Sequence, residues 1–484
     1  MCSVPAMRSY LKWPTAIGSA NPRPPQAAVG LSRTRGFTCS RVRHVARRLS
    51  NCFRHSGTIP KSSQRPARRP NRPSSALRYL TMEEDKNSIP RSHFAWTAST
   101  KSPKLERCFL EVKASAIDDL MHRLSIARWP DEAPDQTEAG HWRYGTPVFW
   151  LRKLHEHWLH VFDWREQERA LNALEQWRLK LDSHDLHFVH ARAESHQAKP
   201  LLLLHGWPGS VFEFLELIPK LRQASGSQSS FHVVAASLPG FGLSFRKGQA
   251  RLGLEAMADS LHHLMHDVLG YTKYFVQGGD WGSFIASAMA YRHPQAVSGI
   301  HLNLLPLRRD ALLFQEPIDE DARQYAQALD AFLREDTGYQ AIQGTRPQTL
   351  AYALNDSPLG LAAWIAEKFA AWSDCNGNPE SVIPMDRMLA NISFYWFTES
   401  IGASFWPYYA RLHSPWFIPK GEGITVATGY CQFPREILKP PRSLAARTYQ
   451  NIVRWHEADR GGHFAALEQT DVLAQEIRFT FDAL

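Results

Sequence analysis

The chain has 484 residues, 44% of them hydrophobic and 16 of them Trp, core enough for about two to four domains. Its six cysteines show no C-x-x-C spacing, which argues against a disulfide framework or a zinc site and makes a reducing compartment the expectation. No run of about 18 apolar residues suggests a transmembrane helix, and the net charge of +9 is no nucleic-acid footprint: residues 1–82 carry 16 Lys and Arg with no Asp or Glu, leaving +9 − 16 = −7 for the remainder.

Residues 1–82 are rich in Arg, Ser and Pro and too poor in apolar side chains to build a core. They read as a disordered tail or as sequence upstream of a start at Met82, after which the composition turns acidic at Glu83-Glu84-Asp85. Arg and Ser without acids is also the composition of a mitochondrial-type presequence, so a cytoplasmic protein is expected with that alternative open.

Residues 95–197 read as a helical preface followed by first strands. Cys108–Val112 is a short strand, and Ser115 N-caps a helix that stops at Arg128-Trp129-Pro130-Asp131. Helices follow over Val148–Phe162 and from Trp164, then strands at Trp177–Leu181, Leu186–Ala191 and Leu201–Leu204. Over residues 198–305, strands at Phe231–Ala236, Lys273–Gln277 and Val297–Leu304 alternate with helices at Met257–Leu269 and Phe284–Tyr291. That alternation calls for an α/β fold, a mostly parallel sheet flanked by helices. Residues 306–420 break it; helical and aromatic, they read as a cap inserted into the sheet domain. Residues 421–484 resume with strands from Ile424 and over Asn451–Trp455, then a helix over Asp471–Thr480.

The chemistry concentrates at Gly278-Gly279-Asp280-Trp281-Gly282, between an apolar strand and an apolar helix. This is the elbow in which a sharp strand-to-helix turn lifts one side chain above a sheet. A carboxylate there attacks alkyl carbon and forms an ester of the enzyme itself. Its substrate needs a strained or good leaving group on sp³ carbon, as in an epoxide or an alkyl halide. The expected chain order is nucleophile, acid, histidine. His463, in Gly461-Gly462-His463-Phe464 after the last strand, is the base, and Glu436, after the penultimate strand, is the acid, with Asp459 and Glu457 as rivals. Two backbone N–H groups should stabilise an oxyanion: that of Trp281, and that of Trp207 in His205-Gly206-Trp207-Pro208-Gly209-Ser210, where His205 braces the loop. A phenol, protonated at neutral pH, would help an epoxide oxygen depart. The residues alone leave Tyr339, Tyr408 and Tyr409 open.

The stretch from about 105 to 484 resembles the microsomal-type epoxide hydrolases of the α/β-hydrolase fold. The likeness rests on Arg128-Trp129-Pro130-Asp131, Trp142-x-Tyr144-Gly145, Asp163-Trp164-Arg165-x-Gln167, His205–Ser210, Gly279–Gly282, Leu354–Ala363, Glu367-Lys368-Phe369 and Gly461–Glu468. It implies Asp280 as nucleophile, Glu436 as acid, His463 as base, and Tyr339 and Tyr408 as the cap tyrosines. The aromatic-rich cap suggests an apolar or aryl epoxide, with water as the second substrate, and the chemistry requires neither organic cofactor nor metal. Nucleic-acid binding and a membrane anchor are not expected, and a homodimer is allowed for. Membrane-bound members begin with a transmembrane anchor where this chain has a basic tail, so the likeness is to the soluble microbial branch. A haloalkane or haloacid dehalogenase with the same Asp nucleophile, and a non-catalytic binder of apolar ligands on the same fold, are the other expectations.

Overall fold

The computed structural model describes residues 104–484 apart from 135–141, 225, 227, 308–318 and 420. The expected tail over 1–82 lies outside the described residues. Among the described residues nine strands form one sheet in the order β1-β2-β3-β5-β4-β6-β7-β8-β9. These are β1 (Lys104–Arg107), β2 (Gln176–Lys180), β3 (Asp185–Ala191), β4 (Lys199–Leu204), β5 (Phe231–Ala236), β6 (Tyr274–Gly278), β7 (Val297–Leu302), β8 (Ala427–Gln432) and β9 (Ile452–Glu457). Pairing is antiparallel from β1 through β2 and β3 to β5, and parallel from β5 to β9.

The central strands alternate apolar residues on both faces, as a sheet covered on both sides requires. Leu202, Leu204, Val234, Ala236, Val276 and Ile300 share a core with the helices Leu254–His263 and Trp281–Arg292. Leu201, Leu203, Val233, Ala235 and Phe275 turn the other way, onto the helices Leu217–Arg222 and Thr470–Asp482. The helix after the elbow is buried over almost its whole length.

Between β7 and β8 the described chain is helical, from Glu320–Glu335 to Trp406–His413. The preface helices Ala114–Ser125 and Val148–His160 are pinned to it: Arg123 binds Asp356, Trp150 Nε1 donates to Glu380 Oε2 at 2.8 Å and His157 lies 2.7 Å from Asp386 Oδ1. Thr146 and the Trp142 indole donate to the carbonyls of Ala363 and Gly377.

Three expectations are corrected. The strand expected at Cys108–Val112 lies upstream, at Lys104–Arg107. Leu110 and Val112 do alternate inward, but their backbone is held by side chains of the helix Trp164–Asn172 rather than by a strand: Asn172 brackets Leu110, and Glu168 Oε1 accepts from Val112 N at 2.6 Å. Ser115 is not the N-cap; the helix begins at Ala114, and Lys113 before it makes no side-chain cap. The strand expected from Ile424 begins at Ala427, Ile424 making only a single bridge to Tyr449.

Candidate active site

Register decides where the motifs meet. Leu204 pairs with Gly278, Gly278 with Leu302, and Leu302 with Tyr430, so β4, β6 and β8 end at one edge of the sheet. The loops beyond those ends are where open α/β sheets hold ligands. They carry Trp207, Asp280 and Glu436.

Asp280 adopts φ 45° and ψ −123°, backbone that costs a side-chain-bearing residue about 1–3 kcal/mol. The turn is forced by close packing. A Cβ on Gly282 would run into the Leu204 carbonyl, and one on Gly278 into the Gly282 carbonyl. Trp207 N donates to Asp280 Oδ1 at 2.8 Å. Trp281 opens the helix Trp281–Arg292, so its N–H is among those with no carbonyl partner inside the helix.

His463 is placed from two sides. Arg435 N donates to Gly461 O at 3.1 Å, stapling the loop after β8 to the loop after β9. Gly461 turns that loop at φ 106°, and His463 N then donates to the carbonyl of Trp372, the last residue of the helix Pro358–Trp372. The result sets His463 Nδ1 2.7 Å from Glu436 Oε1 and Nε2 3.6 Å from Asp280 Oδ2. Glu436 Oε1 also accepts from Ile437 N at 2.7 Å. Burial pulls the imidazole pKa down, but Glu436, Asp280 and Glu213 together outweigh it and raise it to about 9. The rivals Glu457 and Asp459 are exposed.

His205 accepts from Leu238 N at Nε2, 3.1 Å, which leaves Nδ1 to donate to Gly206 O at 2.9 Å. Burial holds its pKa down at about 4, so it is a neutral strut of the loop.

Tyr339 and Tyr408 are both buried and both touch Trp207. Tyr339 stacks on its indole with centroids 5.4 Å apart, and Tyr408 meets it edge-on at 5.8 Å. Tyr408 also meets Trp281 edge-on at 4.9 Å, and the two tyrosine rings lie 5.7 Å apart. Gln340 donates to the Tyr339 hydroxyl at 2.6 Å. Burial raises the Tyr408 hydroxyl well above the usual phenol range, and the negative charge of Asp280 adds to the effect. Tyr409 is partly exposed and stacks on His413 instead.

The structure also brings in residues the sequence reading did not single out for the site. Lys368, buried, lies 4.4 Å from the Tyr339 ring centroid. Trp372 supplies the carbonyl that fixes His463. Glu213 lines a cavity with Asp280 and His463; its signal in sequence was Ser210-x-x-Glu213, a capping-box spacing. No group of side chains among the described residues is arranged to hold a metal ion. Among those residues no helix is long and apolar enough to cross a membrane.

Residues 105–214 match the model of the epoxide hydrolase N terminus, and residues 199–355 match that of the alpha/beta hydrolase fold. The chain is 41% identical to a putative epoxide hydrolase of Stigmatella aurantiaca, over 78% of this chain and 84% of that one. It is 33% identical to epoxide hydrolase 1 of Sus scrofa, over 76% and 87%. Among solved structures it resembles the Aspergillus niger epoxide hydrolase, with a TM-score of 0.68 and 29% identity over 81% of this chain and 99% of that one. It is likewise similar to the juvenile hormone epoxide hydrolase of Bombyx mori, with a TM-score of 0.69 and 29% identity over 81% and 98%. By sequence, fold and relatives alike, the chain belongs to the epoxide hydrolase family, built on the alpha/beta hydrolase fold.

Proposed function

We propose that this protein hydrolyses an apolar epoxide to a vicinal diol through a covalent ester on Asp280. The observation that carries the reading is the Asp280 carboxylate at the elbow, with the His463–Glu436 pair beside it and two buried phenols close by. One of Tyr339 and Tyr408 passes its phenol proton to the epoxide oxygen, while the other hydrogen-bonds to it, as Asp280 attacks a ring carbon and the ring C–O bond breaks. Forming the ester removes the charge of Asp280, one of the groups that raise the His463 pKa, so the imidazole loses its proton more readily once the ester exists. His463, oriented by Glu436, then takes a proton from water as the water oxygen attacks the Asp280 carbonyl carbon. The N–H groups of Trp207 and Trp281 stabilise the oxyanion, and loss of one such donor typically costs about 10²–10³ in rate. The ester C–O bond breaks, His463 passes its proton to the departing alkoxide, the second water proton leaves the new Asp280 carboxyl to restore the phenol, and the diol leaves.

The same reading takes the helices between β7 and β8 as the cap over 306–420, beside a preface over 95–197 and core segments over 198–305 and 421–484. It extends to a cytoplasmic enzyme, in keeping with the free, buried Cys108, Cys375 and Cys431. A homodimer completes it, to be tested by light scattering.

Intact mass of His463→Gln mixed with epoxides and alkyl halides tests the chemistry. A gain equal to the whole epoxide, absent in Asp280→Ala, is the expected result. A gain equal to an alkyl halide less its halogen, with epoxides silent, would make the protein a dehalogenase. In wild type, the first turnover in H₂¹⁸O should label Asp280 and leave the diol unlabelled.

A further inference from the structure

The water that hydrolyses the ester must stand within reach of both the His463 imidazole and the Asp280 carboxyl carbon. The alkyl group of the ester fills the side where Tyr339 and Tyr408 hold the epoxide. A small cavity meets both conditions. It has a volume of about 20 Å³, where one water needs roughly 10–15 Å³. Asp280, His463, Glu213, Gly209, Gln277 and Asn303 are among its walls, and neither tyrosine is.

The walls are those of a water site. Gln277 is buried and donates through Nε2 to Asn303 Oδ1 at 2.9 Å, while its Oε1 has no hydrogen-bond partner among the described residues. A buried amide oxygen left without a partner is the kind of group that an internal water satisfies. Besides Asp280 and His463, the ionisable groups lining the cavity are His205 and Glu213. His205 uses both ring nitrogens in bracing its loop. Glu213 forms no ion pair with the described residues, and its carboxyl lies over Gly209 so closely that a Cβ there would coincide with Oε1.

We propose that Glu213 is a further catalytic residue, holding with His463 the water that cleaves the ester. The proposal rests on the covalent reading above. One O–H of the water points to His463 Nε2 and gives up its proton; the other points to a Glu213 carboxyl oxygen, which accepts it whether or not the carboxyl is ionised. The water oxygen bonds to the Asp280 carbonyl carbon, the ester C–O bond breaks, and the proton carried by His463 passes to the departing alkoxide. The water's second proton, left on the new Asp280 carboxyl, restores the phenol that protonated the epoxide oxygen, and Glu213 ends the step with the protons it began with. Burial raises its pKa to about 8, Asp280 adds to the rise, and His463 and the Ser210 N–H oppose it. That Ser210 contact is the structural role a capping box gives this glutamate, so the test must separate caps from catalysis.

Single-turnover kinetics does so, following alkylation and ester hydrolysis separately by intact mass with one epoxide. Glu213→Leu removes every polar atom; Glu213→Gln keeps an acceptor oxygen of the same shape. The expected result is alkylation within about twofold of wild type in both, and hydrolysis slowed about 10²-fold in Leu and several-fold less in Gln, within the range of acid–base and positioning effects. Hydrolysis unchanged in both variants, or alkylation and hydrolysis slowed equally in Glu213→Gln, would overturn the role of Glu213. His463→Gln run alongside separates the two ideas: an adduct there with unaffected Glu213 variants sinks only this proposal, and no adduct there sinks the covalent reading and this proposal together.

Discussion

Trp207 lays its indole flat on the ring of Tyr339, planes within 10° and centroids 5.4 Å apart, while its backbone N–H holds Asp280 Oδ1. One residue thus joins the carboxylate to a phenol above the site. The join is through ring faces, so it survives removal of the hydroxyl.

Tyr339→Phe should therefore keep the stack and lose only the hydrogen-bond donor. Alkylation should slow by about 10–10²-fold, ester hydrolysis should change little, and Tm should stay close to wild type. Stopped-flow fluorescence with a single epoxide reads both steps, and an unchanged alkylation burst would remove Tyr339 from the mechanism.

The raised pKa of His463 makes stability depend on pH. The folded imidazole titrates at about 9 against an ordinary 6.5, so the stability it contributes is complete below about 6.5 and is lost as pH rises through 9. Glu213 acts in the same sense from lower pH. Its folded carboxyl keeps, up to about 8, a proton that the unfolded chain releases near 4.5, so stability falls across that interval. Tm should decline as pH is raised from about 6 to about 9.5, and His463→Gln should flatten the upper part of the decline. A wild-type Tm independent of pH over that range would contradict both shifts.

Gly282→Ala should destabilise the protein by about 1–3 kcal/mol or more and abolish activity, because its Cβ would strike the Leu204 carbonyl of a central strand. Urea denaturation gives the first quantity. A folded Gly282→Ala variant with normal turnover would show that the elbow tolerates more space than its packing suggests.

Asn172→Ala should cost about 1–3 kcal/mol, since it strips both backbone partners from the buried Leu110. The loss should appear in thermal stability with the chemical steps intact. An equal loss in the rate of alkylation would place the preface closer to catalysis than its contacts do.

The elbow and the His205–Ser210 loop were legible because their glycines stand where a side chain would not fit, and strands such as Phe231–Ala236 because four or more apolar residues run together. Leu110 and Val112 misled because alternation records burial and not the partner: a strand and a backbone clasped by Asn172 and Glu168 bury the same positions. Ser115 misled because a helix start is set by where the chain turns, one residue earlier. Glu213 is not legible because it lies 67 residues before Asp280 in sequence, outside every motif that carries the site, and only the fold places it beside His463 and Asp280.

The carbonyl of Trp372 that receives the His463 N–H belongs to the same helical region that carries Tyr339 and Tyr408, and the neighbouring Asp374 accepts from Gly461 N at 3.0 Å. In the proposed mechanism, selectivity and reactivity therefore share one anchor point. A lineage adapting to a new epoxide can remodel much of the wall around the substrate, but changes at 372–374 would displace the imidazole as well. Variants selected in the laboratory for a different epoxide should accumulate replacements elsewhere in the helical region and leave those three positions as they are.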